Sequence, residues 1–422
     1  MNPVGTKPGA GSRMTVDEIE AVGTRLDAFL APFLEALPNP RGRGAGRTRG
    51  NFDAYVRGLL SDLERKSVEP IALAAGVDER ALQLFLASRP WDHEGLRDEI
   101  QRKAARSLPA LLDLALIDET AHVKKGDKTP GVQRQWCGTR GKVENCIVTV
   151  HLAGASADGR SAALLDSDLY VPQSWDATRR RAAGVPPGVT PQPKWKLALE
   201  QCRRARKNGL HFRWLAADEG YGGKPAFLTG LVDLGQAFAI EVPKSFRGWT
   251  SPPLRLTQGA TKPSTVEHLV RHSPAGAGWT KYEVKVTTKG PTAWEVRVLP
   301  FGFRDGRRVV GGLELLAARN LLDLDEVKYF AVFAPHGATE AEKVRAAFGR
   351  PAVEDVFQKA KGELGLSHYE GRTYDGLLRH CHLAALALLF LVSEATRERG
   401  GKSGGDGVPG APRRRRAAAA AS

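Results

Sequence analysis

The strongest constraint on the fold is the order of apolar segments that follows residue 110. Periodicity and turn residues divide this stretch into seven segments. They come in the order strand, strand, strand, helix, strand, helix and strand, at residues 112–118, 145–156, 161–172, 193–209, 211–222, 224–235 and 237–243. Three leading strands followed by alternating helices and strands predict an α/β unit built on one mixed sheet.

The segment before this unit carries helical signals only. Residues 15–107 hold several short helix-like runs joined by tight turns, and Thr15 with Glu18 forms a capping box at the start of the first run. We therefore predict an all-α N-terminal domain. Such helices occur both in helix-turn-helix modules that bind DNA and in plain helical bundles, and the pattern does not separate these two possibilities.

The segment after the unit alternates in hydropathy, which is typical of strands. The runs at 282–288 and 293–301 lie between glycine and proline turns and predict an antiparallel insertion. Helical patterns then return and complete the core. The expected organisation is 1–14 disordered, 15–107 helical, 110–243 and 328–396 core, 244–327 β-strand insertion, and 397–422 a disordered basic tail.

The charge balance indicates a polyanionic partner. The chain has 62 Lys and Arg residues against 47 Asp and Glu residues, which gives a net charge of +15. The run Arg413–Arg416 contributes four of these charges, so most of the excess lies in the rest of the chain. A basic surface of this size is typical of proteins that bind nucleic acid.

Cysteine spacing and hydropathy favour a cytoplasmic protein without a membrane span. None of the four cysteines forms a CxxC pair, and the first residues contain no apolar run of the signal-peptide type. The sequence His380-Cys381-His382 has no partner cluster, so we do not expect a metal there. The apolar run Leu383–Val392 is too short to cross a bilayer and is expected to be a buried helix.

Two acidic residues follow predicted strands of the core. Asp118 ends the first strand-like run, and Asp218 ends the fourth. Side chains at carboxyl ends of strands commonly form the site of an α/β sheet, although acids also occur there as ordinary turn residues. A third acid from a helix docked on the sheet would complete a carboxylate cluster. Such a cluster can hold two Mg²⁺ or Mn²⁺ ions for displacement at phosphorus.

The predicted helix at 352–364 supplies the third acid. At about 100° per residue, its apolar side chains form one stripe that must face the core, namely Val353, Phe357, Ala360 and Leu364. Glu354 and Lys361 lie at the edge of this stripe, whereas Asp355 is expected to face water. We therefore predict that Glu354 reaches the site, and the alternative is a solvated pair of Glu354 and Lys361.

These residues resemble the DDE motif of bacterial insertion-sequence transposases with an RNase H-like catalytic domain. Arg350, Glu354 and Lys361 match the spacing R-(3)-E-(6)-K of the signature Y-(2)-R-(3)-E-(6)-K, with Ala347 at the position of its Tyr. The D-x-x-Y element corresponds to Asp218 and Tyr221. The first block of the family corresponds to Asp118, Glu119, Thr120, Lys124 and Gly126.

The resemblance implies an RNase H-like fold and a cut-and-paste DNA transposase. Asp118, Asp218 and Glu354 would hold two Mg²⁺ or Mn²⁺ ions. The protein would bind the terminal inverted repeats of an element, pair two ends as a dimer, cleave them and join them to target DNA. The residues implied to contact DNA phosphates are Arg350, Lys361, Tyr221, Lys124 and Lys125, the two last being equally compatible with a solvated loop.

Other roles and other functions stay open. Trp249, Trp279 and Trp294 in the insertion could stack on an extruded base or could form the insertion's own core. Glu119 is a rival to Asp118, but on a strand it points to the opposite face. The rival functions are a regulator or domesticated transposase that binds DNA without cutting it, and a nuclease on the same fold.

Overall fold

A computed structural model describes residues 15–37, 45–257, 259, 261–274, 276, 278–287, 290–323 and 325–403. The segments 1–14 and 404–422, which we predicted to be disordered, lie outside these residues. The last helix continues to Ser403, so the first part of the predicted basic tail, 397–403, is helical instead.

The helices are α1 (Val16–Ala36), α2 (Ala45–Leu60), α3 (Val68–Ala75), α4 (Glu79–Ala87), α5 (His93–Ser107), α6 (Ala177–Ala182), α7 (Lys194–Lys207), α8 (Glu219–Gly222), α9 (Pro225–Asp233), α10 (Val266–His272), α11 (Glu340–Ala347), α12 (Ala352–Gly362) and α13 (Tyr374–Ser403). The strands are β1 (Leu114–Val123), β2 (Gln133–Cys137), β3 (Lys142–Ala155), β4 (Ala162–Leu169), β5 (Trp214–Ala216), β6 (Phe238–Glu241), β7 (Arg247–Trp249), β8 (Ser264–Thr265), β9 (Thr280–Thr287), β10 (Gly290–Asp305), β11 (Arg308–Asn320) and β12 (Val327–Phe333).

The first sheet has β1 at its centre. β1 pairs antiparallel with the long strand β3 on one side and parallel with the short strand β5 on the other. β3 in turn pairs with β2 along its first part and with β4 along its second part. The connection between the parallel strands β1 and β5 contains β2, β3, β4, α6 and α7, and parallel neighbours need such a long crossover.

The second sheet continues from the first. Its order is β6-β12-β11-β10-β7-β8, and β9 also pairs with β10. The backbone N–H of Leu215 donates to Ala237 O (2.9 Å), and that of Glu241 donates to Ala217 O (3.3 Å), which joins β5 to β6. The result is a mixed sheet with an antiparallel extension, so the predicted α/β RNase H-like fold class is confirmed.

The helices cover this sheet and share its core. The apolar side chains of α1 to α5, of the sheet and of α13 form one continuous buried cluster. All elements between Val16 and Ser107 in the described part of the chain are helical. Because their core is continuous with that of the sheet, a separate domain ending at residue 107 stays a prediction.

The long helix α13 passes through the centre of this core. It is long and apolar enough to cross a membrane by length and composition, but 89% of its most apolar window is buried inside the protein. The run Leu383–Val392 is therefore a core segment, as predicted. His380, Cys381 and His382 are buried in the same helix, and no group of three metal-ligating side chains exists among the described residues.

Two predicted strand ends differ from the structure. β1 does not end at Asp118 but continues to Val123, because each residue from Asp118 to Val123 pairs with β3. The strand predicted at 211–222 is reduced to the three residues of β5. Asp218 follows β5 and caps α8 instead, since its side chain accepts a hydrogen bond from the N–H of Tyr221.

Candidate active site

Asp118 and Asp218 meet at the edge that β5 leaves open beside β1. β5 pairs only with Leu114–Leu116, so β1 extends past it and Asp218 follows the end of β5. Arg350 Nη2 lies 3.1 Å from Asp118 Oδ2 and 3.9 Å from Asp218 Oδ2. The two carboxylate oxygens are therefore separated by no more than the sum of these distances, about 7 Å. Two of the three predicted acids form one site.

The surroundings of Asp118 disfavour its negative charge. Burial raises the pKa of Asp118 to about 6, although the guanidinium of Arg350 and the N–H of Glu119 both favour the charged form. The neighbouring carboxylate of Asp218 raises this pKa further. A largely buried carboxylate beside a second, partly exposed one favours a further positive charge, which is the electrostatic setting of a cation site.

Tyr221 lies beneath the two carboxylates. The helix α8, which Asp218 caps, places this side chain at the open edge of β1, where it is 4% exposed. Burial raises the pKa of Tyr221, and the charges of Glu119, Asp118 and Asp218 raise it further. Its hydroxyl is buried and interacts with the Glu119 carboxylate. The contact with DNA phosphate that we expected of Tyr221 stays a prediction.

The helix α12 lies over the same face of the sheet. Val353, Phe357, Ala360 and Leu364 are all buried, so the predicted apolar stripe is confirmed. Burial lowers the pKa of Lys361, and the carboxylate of Asp118 opposes this shift, so both charges occupy one region. Arg350, which directly precedes Pro351 at the start of α12, also reaches Asp118.

Glu354 is not beside the other two acids. It lies on the exposed face of α12 and, together with Asp355, lines a cleft of about 930 Å³ near the start of β1. No contact joins Glu354 to Asp118 or Asp218 within the described ranges. We predicted that Glu354 would face a cleft and Asp355 would face water, but both are exposed and line the same cleft. That Glu354 acts in the site whereas Asp355 does not therefore stays a prediction.

A chain of buried polar side chains beside Asp118 was missed from the sequence. His151 is the cross-strand partner of Asp118 on β3. Its ring nitrogens lie 2.7 Å from Thr149 Oγ1 and 2.8 Å from Ser167 Oγ, and Thr149 Oγ1 lies 3.2 Å from His122 Nε2. Burial lowers the pKa of His151 to about 3, so its ring is neutral. The sequence signal for this chain is the pair Thr149 and His151, two polar residues spaced two apart in the apolar part of β3.

This polar chain supports α12 from below. The ring of Phe357 packs edge-on against His151, with centroids 5.2 Å apart. The His122 imidazole is buried, and burial lowers its pKa well below the ordinary value. Neutral rings can pack under the helix that carries Arg350 and Lys361 without repelling these cations. His122 therefore belongs to the floor of the site.

Lys124 is engaged within the protein rather than free for phosphate. Its Nζ donates to Tyr369 O (2.5 Å) and lies 5.5 Å from the centroid of the Tyr369 ring. Burial lowers the pKa of Lys124. Lys125, the next residue, is exposed. Of the two lysines that we expected to contact phosphate, only Lys125 presents its charge to solvent.

The segment that follows α12 is anchored to the N-terminal helices. Lys66 is 5% exposed, and its Nζ donates to the carbonyls of Leu59 (2.8 Å), Ser61 (2.5 Å) and Glu363. The last carbonyl lies just beyond α12, so one ammonium group satisfies the ends of two helices. The position of α12 is thereby tied to the end of α2.

The three tryptophans of the insertion do not present free faces. Trp249 is 4% exposed and its Nε1 donates to Thr261 O, and Trp294 is 3% exposed and packs on Phe348. Trp279 is half-buried, and the Arg319 guanidinium lies 4.3 Å from its ring centroid. Of the two alternatives left open for these residues, the burial of Trp249 and Trp294 favours a place in the insertion's own core.

The donor set of Asp118 and Asp218 fits a hard divalent cation in part. Two carboxylates supply the oxygen ligands that Mg²⁺ and Mn²⁺ prefer, and Arg350 relieves part of their mutual repulsion. A third carboxylate is needed for a two-ion site, and the described residues include no group of three side chains that could hold a metal ion. Glu354, on the neighbouring helix, would have to move towards them.

Comparison with known families identifies the class of this fold and site. The profile of a family described as DDE superfamily endonuclease matches residues 32–296. This is more than half of the chain, so the protein belongs to the DDE endonuclease superfamily. The matched residues include Asp118 and Asp218 and end before Arg350, Glu354 and Lys361. The resemblance drawn from the sequence motifs is confirmed.

A curated relative narrows the comparison. Over 201 residues the chain is 34% identical to a protein of Microchaete diplosiphon described as "Probable transposase for insertion sequence element IS701". The match covers 46% of this chain and 49% of that protein. The chain therefore spans about half the length of the curated relative it matches.

Proposed function

We propose that this protein is a DNA transposase that cleaves the ends of an insertion element and joins them to target DNA. The observation that carries this proposal is the meeting of Asp118 and Asp218 on Arg350, at an open edge of an RNase H-like sheet. The net charge of +15 and the similarity to an insertion-sequence transposase support DNA as the substrate.

Asp118 and Asp218 would hold the divalent ions, with Glu354 as the third ligand after α12 shifts towards them. When bound, such ions lower the pKa of a water and stabilise the charge that develops at phosphorus. Arg350 would then be displaced from between the carboxylates, since the ions take over its neutralising role. The freed guanidinium and the ammonium of Lys361 would bind the phosphates on either side of the scissile bond.

The test uses duplexes that cover the genomic DNA on both sides of the gene, labelled at one strand and incubated with Mg²⁺ or Mn²⁺. Cleavage at a defined position followed by joining to a second duplex supports a transposase. Cleavage without joining indicates a nuclease on the same fold. Binding without cleavage indicates a regulator and contradicts the proposed reaction.

The role of Glu354 has a matched control in its neighbour. Glu354→Gln is expected to reduce cleavage by at least about 10³-fold, because a ligand of the ions is lost. Asp355→Asn changes the same charge on the same exposed face, and it is expected to leave cleavage within about threefold. Equally small losses of cleavage for the two substitutions would show that neither acid joins Asp118 and Asp218.

A further inference from the structure

The hairpin formed by β2 and β3 presents an aromatic side chain to solvent. All eight tryptophans lie within the described ranges, and Trp136 is the one that is exposed, with 61% of its surface accessible. Its cross-strand partner Val143 is 49% exposed. Trp136 and Val143 therefore form an apolar strip on the hairpin, whereas the tryptophans of the insertion that we considered for DNA contact are largely covered.

The folding of the hairpin does not explain this exposure. Its other face packs on a small separate core formed by Ala121, Cys137, Cys146 and Val148. The side-chain amide of Asn145 donates to Lys124 O and Gly126 O, both at 2.8 Å, which fixes the loop after β1 to the hairpin. The hairpin is thus held without Trp136, and the ring is presented from a firmly anchored support.

The charges around the strip are mainly positive. The hairpin and the loop that precedes it carry five exposed cations, and the same segments hold the acids Asp127 and Glu144. Lys142 pairs with Glu144 at 3.0 Å, while the other four cations make no ion pair within the described part of the chain. The five cations are Lys125, Lys128, Arg134, Arg140 and Lys142. An exposed ring among unpaired cations suits a polyanion with aromatic bases, so the partner that fits is DNA.

The strip lies on the same face of the sheet as Asp118. Asp118 pairs with His151 on β3, and Trp136 pairs with Val143 on the same strand, an even number of residues away. Eight residues of β3 separate the two pairs, which is about 27 Å at 3.4 Å per residue. DNA held at both places would extend about eight base pairs from the site to the hairpin.

We propose that the β2–β3 hairpin is a DNA-contact surface in which Trp136 stacks on an unpaired base and Arg134 and Arg140 bind the adjacent phosphates. This inference rests on the proposed function, because it needs DNA as the substrate. It places a base-stacking residue on the core rather than on the insertion. A base becomes available for stacking wherever the duplex is opened.

The test measures binding of the full chain to two fluorescent duplexes of about 30 base pairs, one fully paired and one with a short central run of unpaired thymines. Trp136→Ala is expected to weaken binding to the unpaired duplex by about 5- to 100-fold, and binding to the paired duplex by less than about threefold. Trp136→Phe is expected to restore most of the loss. Leu322→Ala removes another exposed apolar side chain and serves as the matched control.

Substitution of the basic residues of the hairpin is expected to change DNA binding in a different way from substitution of Trp136. The double substitution Arg134→Ala with Arg140→Ala is expected to weaken both duplexes equally and to reduce the slope of log K against log salt by about 2. Unchanged affinity of Trp136→Ala for both duplexes would overturn the proposal. A changed sedimentation mass of Trp136→Ala without DNA would also overturn it, since the strip would then contact a second copy. If the unsubstituted protein binds neither duplex, the proposed function itself fails.

Discussion

Two clusters in this protein each combine two aspartates with one arginine, and only one of them has the character of a reaction site. In the first, Arg350 makes single contacts of 3.1 and 3.9 Å to Asp118 and Asp218. In the second, Arg204 binds Asp166 through two hydrogen bonds of 3.0 and 3.1 Å. Arg204 also forms an ion pair with Asp168. The residues are alike, but their hydrogen bonding is not.

The Arg204 cluster is satisfied by neutral donors as well. Gln101 donates to Asp166 Oδ2 at 3.1 Å, and Gln201 donates to Asp168 Oδ2 at 3.0 Å. These partners belong to α5 and α7, so the cluster joins the N-terminal helices to the sheet. At the other cluster, neither carboxylate accepts a hydrogen bond from a neutral side chain among the described residues. A carboxylate pair with several side-chain donors stabilises a fold, whereas a pair with few such donors can accept a ligand.

The largest expected difference between the clusters concerns catalysis. Asp218→Asn is expected to reduce strand cleavage by at least about 10³-fold with little loss of stability, because it removes a carboxylate ligand while an Asn at this position can still cap α8. Asp168→Asn is expected to leave the activity of the folded fraction within about tenfold. Cleavage of labelled DNA, corrected for folded protein by circular dichroism, compares the two. Equal losses of activity would show that the clusters are not functionally distinct.

The second difference concerns stability. Asp166→Ala is expected to cost about 3–5 kcal/mol, because it removes a fully buried carboxylate and leaves the partly buried Arg204 without one of its two partners. Urea unfolding monitored by fluorescence measures this loss. Asp218→Asn should cost less than about 1 kcal/mol in the same experiment, since Asp218 is partly exposed. A larger loss for Asp218→Asn than for Asp166→Ala would reverse the assignment of the two clusters.

The third difference appears in the pH dependence of stability. The pKa of Asp118 is about 6 in the folded protein and near 4 when unfolded, so the folded state holds its proton more tightly. The stability that this proton provides is present below about pH 4 and is lost as the pH rises towards 6. In EDTA, Asp118→Asn should therefore stabilise the protein by up to about 3 kcal/mol at pH 7.5 and by about 1 kcal/mol at pH 4.5.

Thermal unfolding at the two pH values checks this expectation. The matched substitution is Asp166→Asn, which should destabilise the protein at both values, because Arg204 and Gln101 stabilise the ionised carboxylate. A stabilisation by Asp118→Asn that is independent of pH would mean that burial does not raise the pKa of this carboxylate.

Much of the first cluster could be predicted from the sequence, and the second could not. Asp118 and Asp218 each follow an apolar run, so their convergence needed only the strand order. The apolar stripe of α12 follows from a period of about 3.6 residues, and it is buried as expected. Asp166 and Asp168 lie inside an apolar strand, and their partner Arg204 is more than thirty residues away in sequence. No local pattern indicates such a partner.

The predictions for the end of β1 and for Glu354 on α12 failed for the same reason, namely contacts between residues distant in sequence. Glu119, Thr120 and His122 have the polarity of a turn, yet pairing with β3 keeps them within β1. The buried side chains of Thr149 and His151 supply the polar surroundings that make this possible. The position of Glu354 depends on how α12 is anchored at both ends. Arg350 contacts Asp118 at the start of the helix, and the Lys66 ammonium donates to Glu363 O at its end. Tertiary contacts thus decided the points that periodicity left open.

The smallest expected effect is that of a substitution at Glu119, which lies on the face of β1 opposite to Asp118. Glu119 accepts a hydrogen bond from Lys194 Nζ at 2.6 Å, and both side chains are about one-third exposed. Glu119→Gln should therefore cost only about 0.2–1 kcal/mol of stability. Cleavage should remain within about threefold, because the Glu119 carboxylate pairs with α7 rather than with Arg350. A loss of cleavage as large as that of Asp218→Asn would make Glu119 a rival ligand and would widen the reactive cluster to both faces of β1.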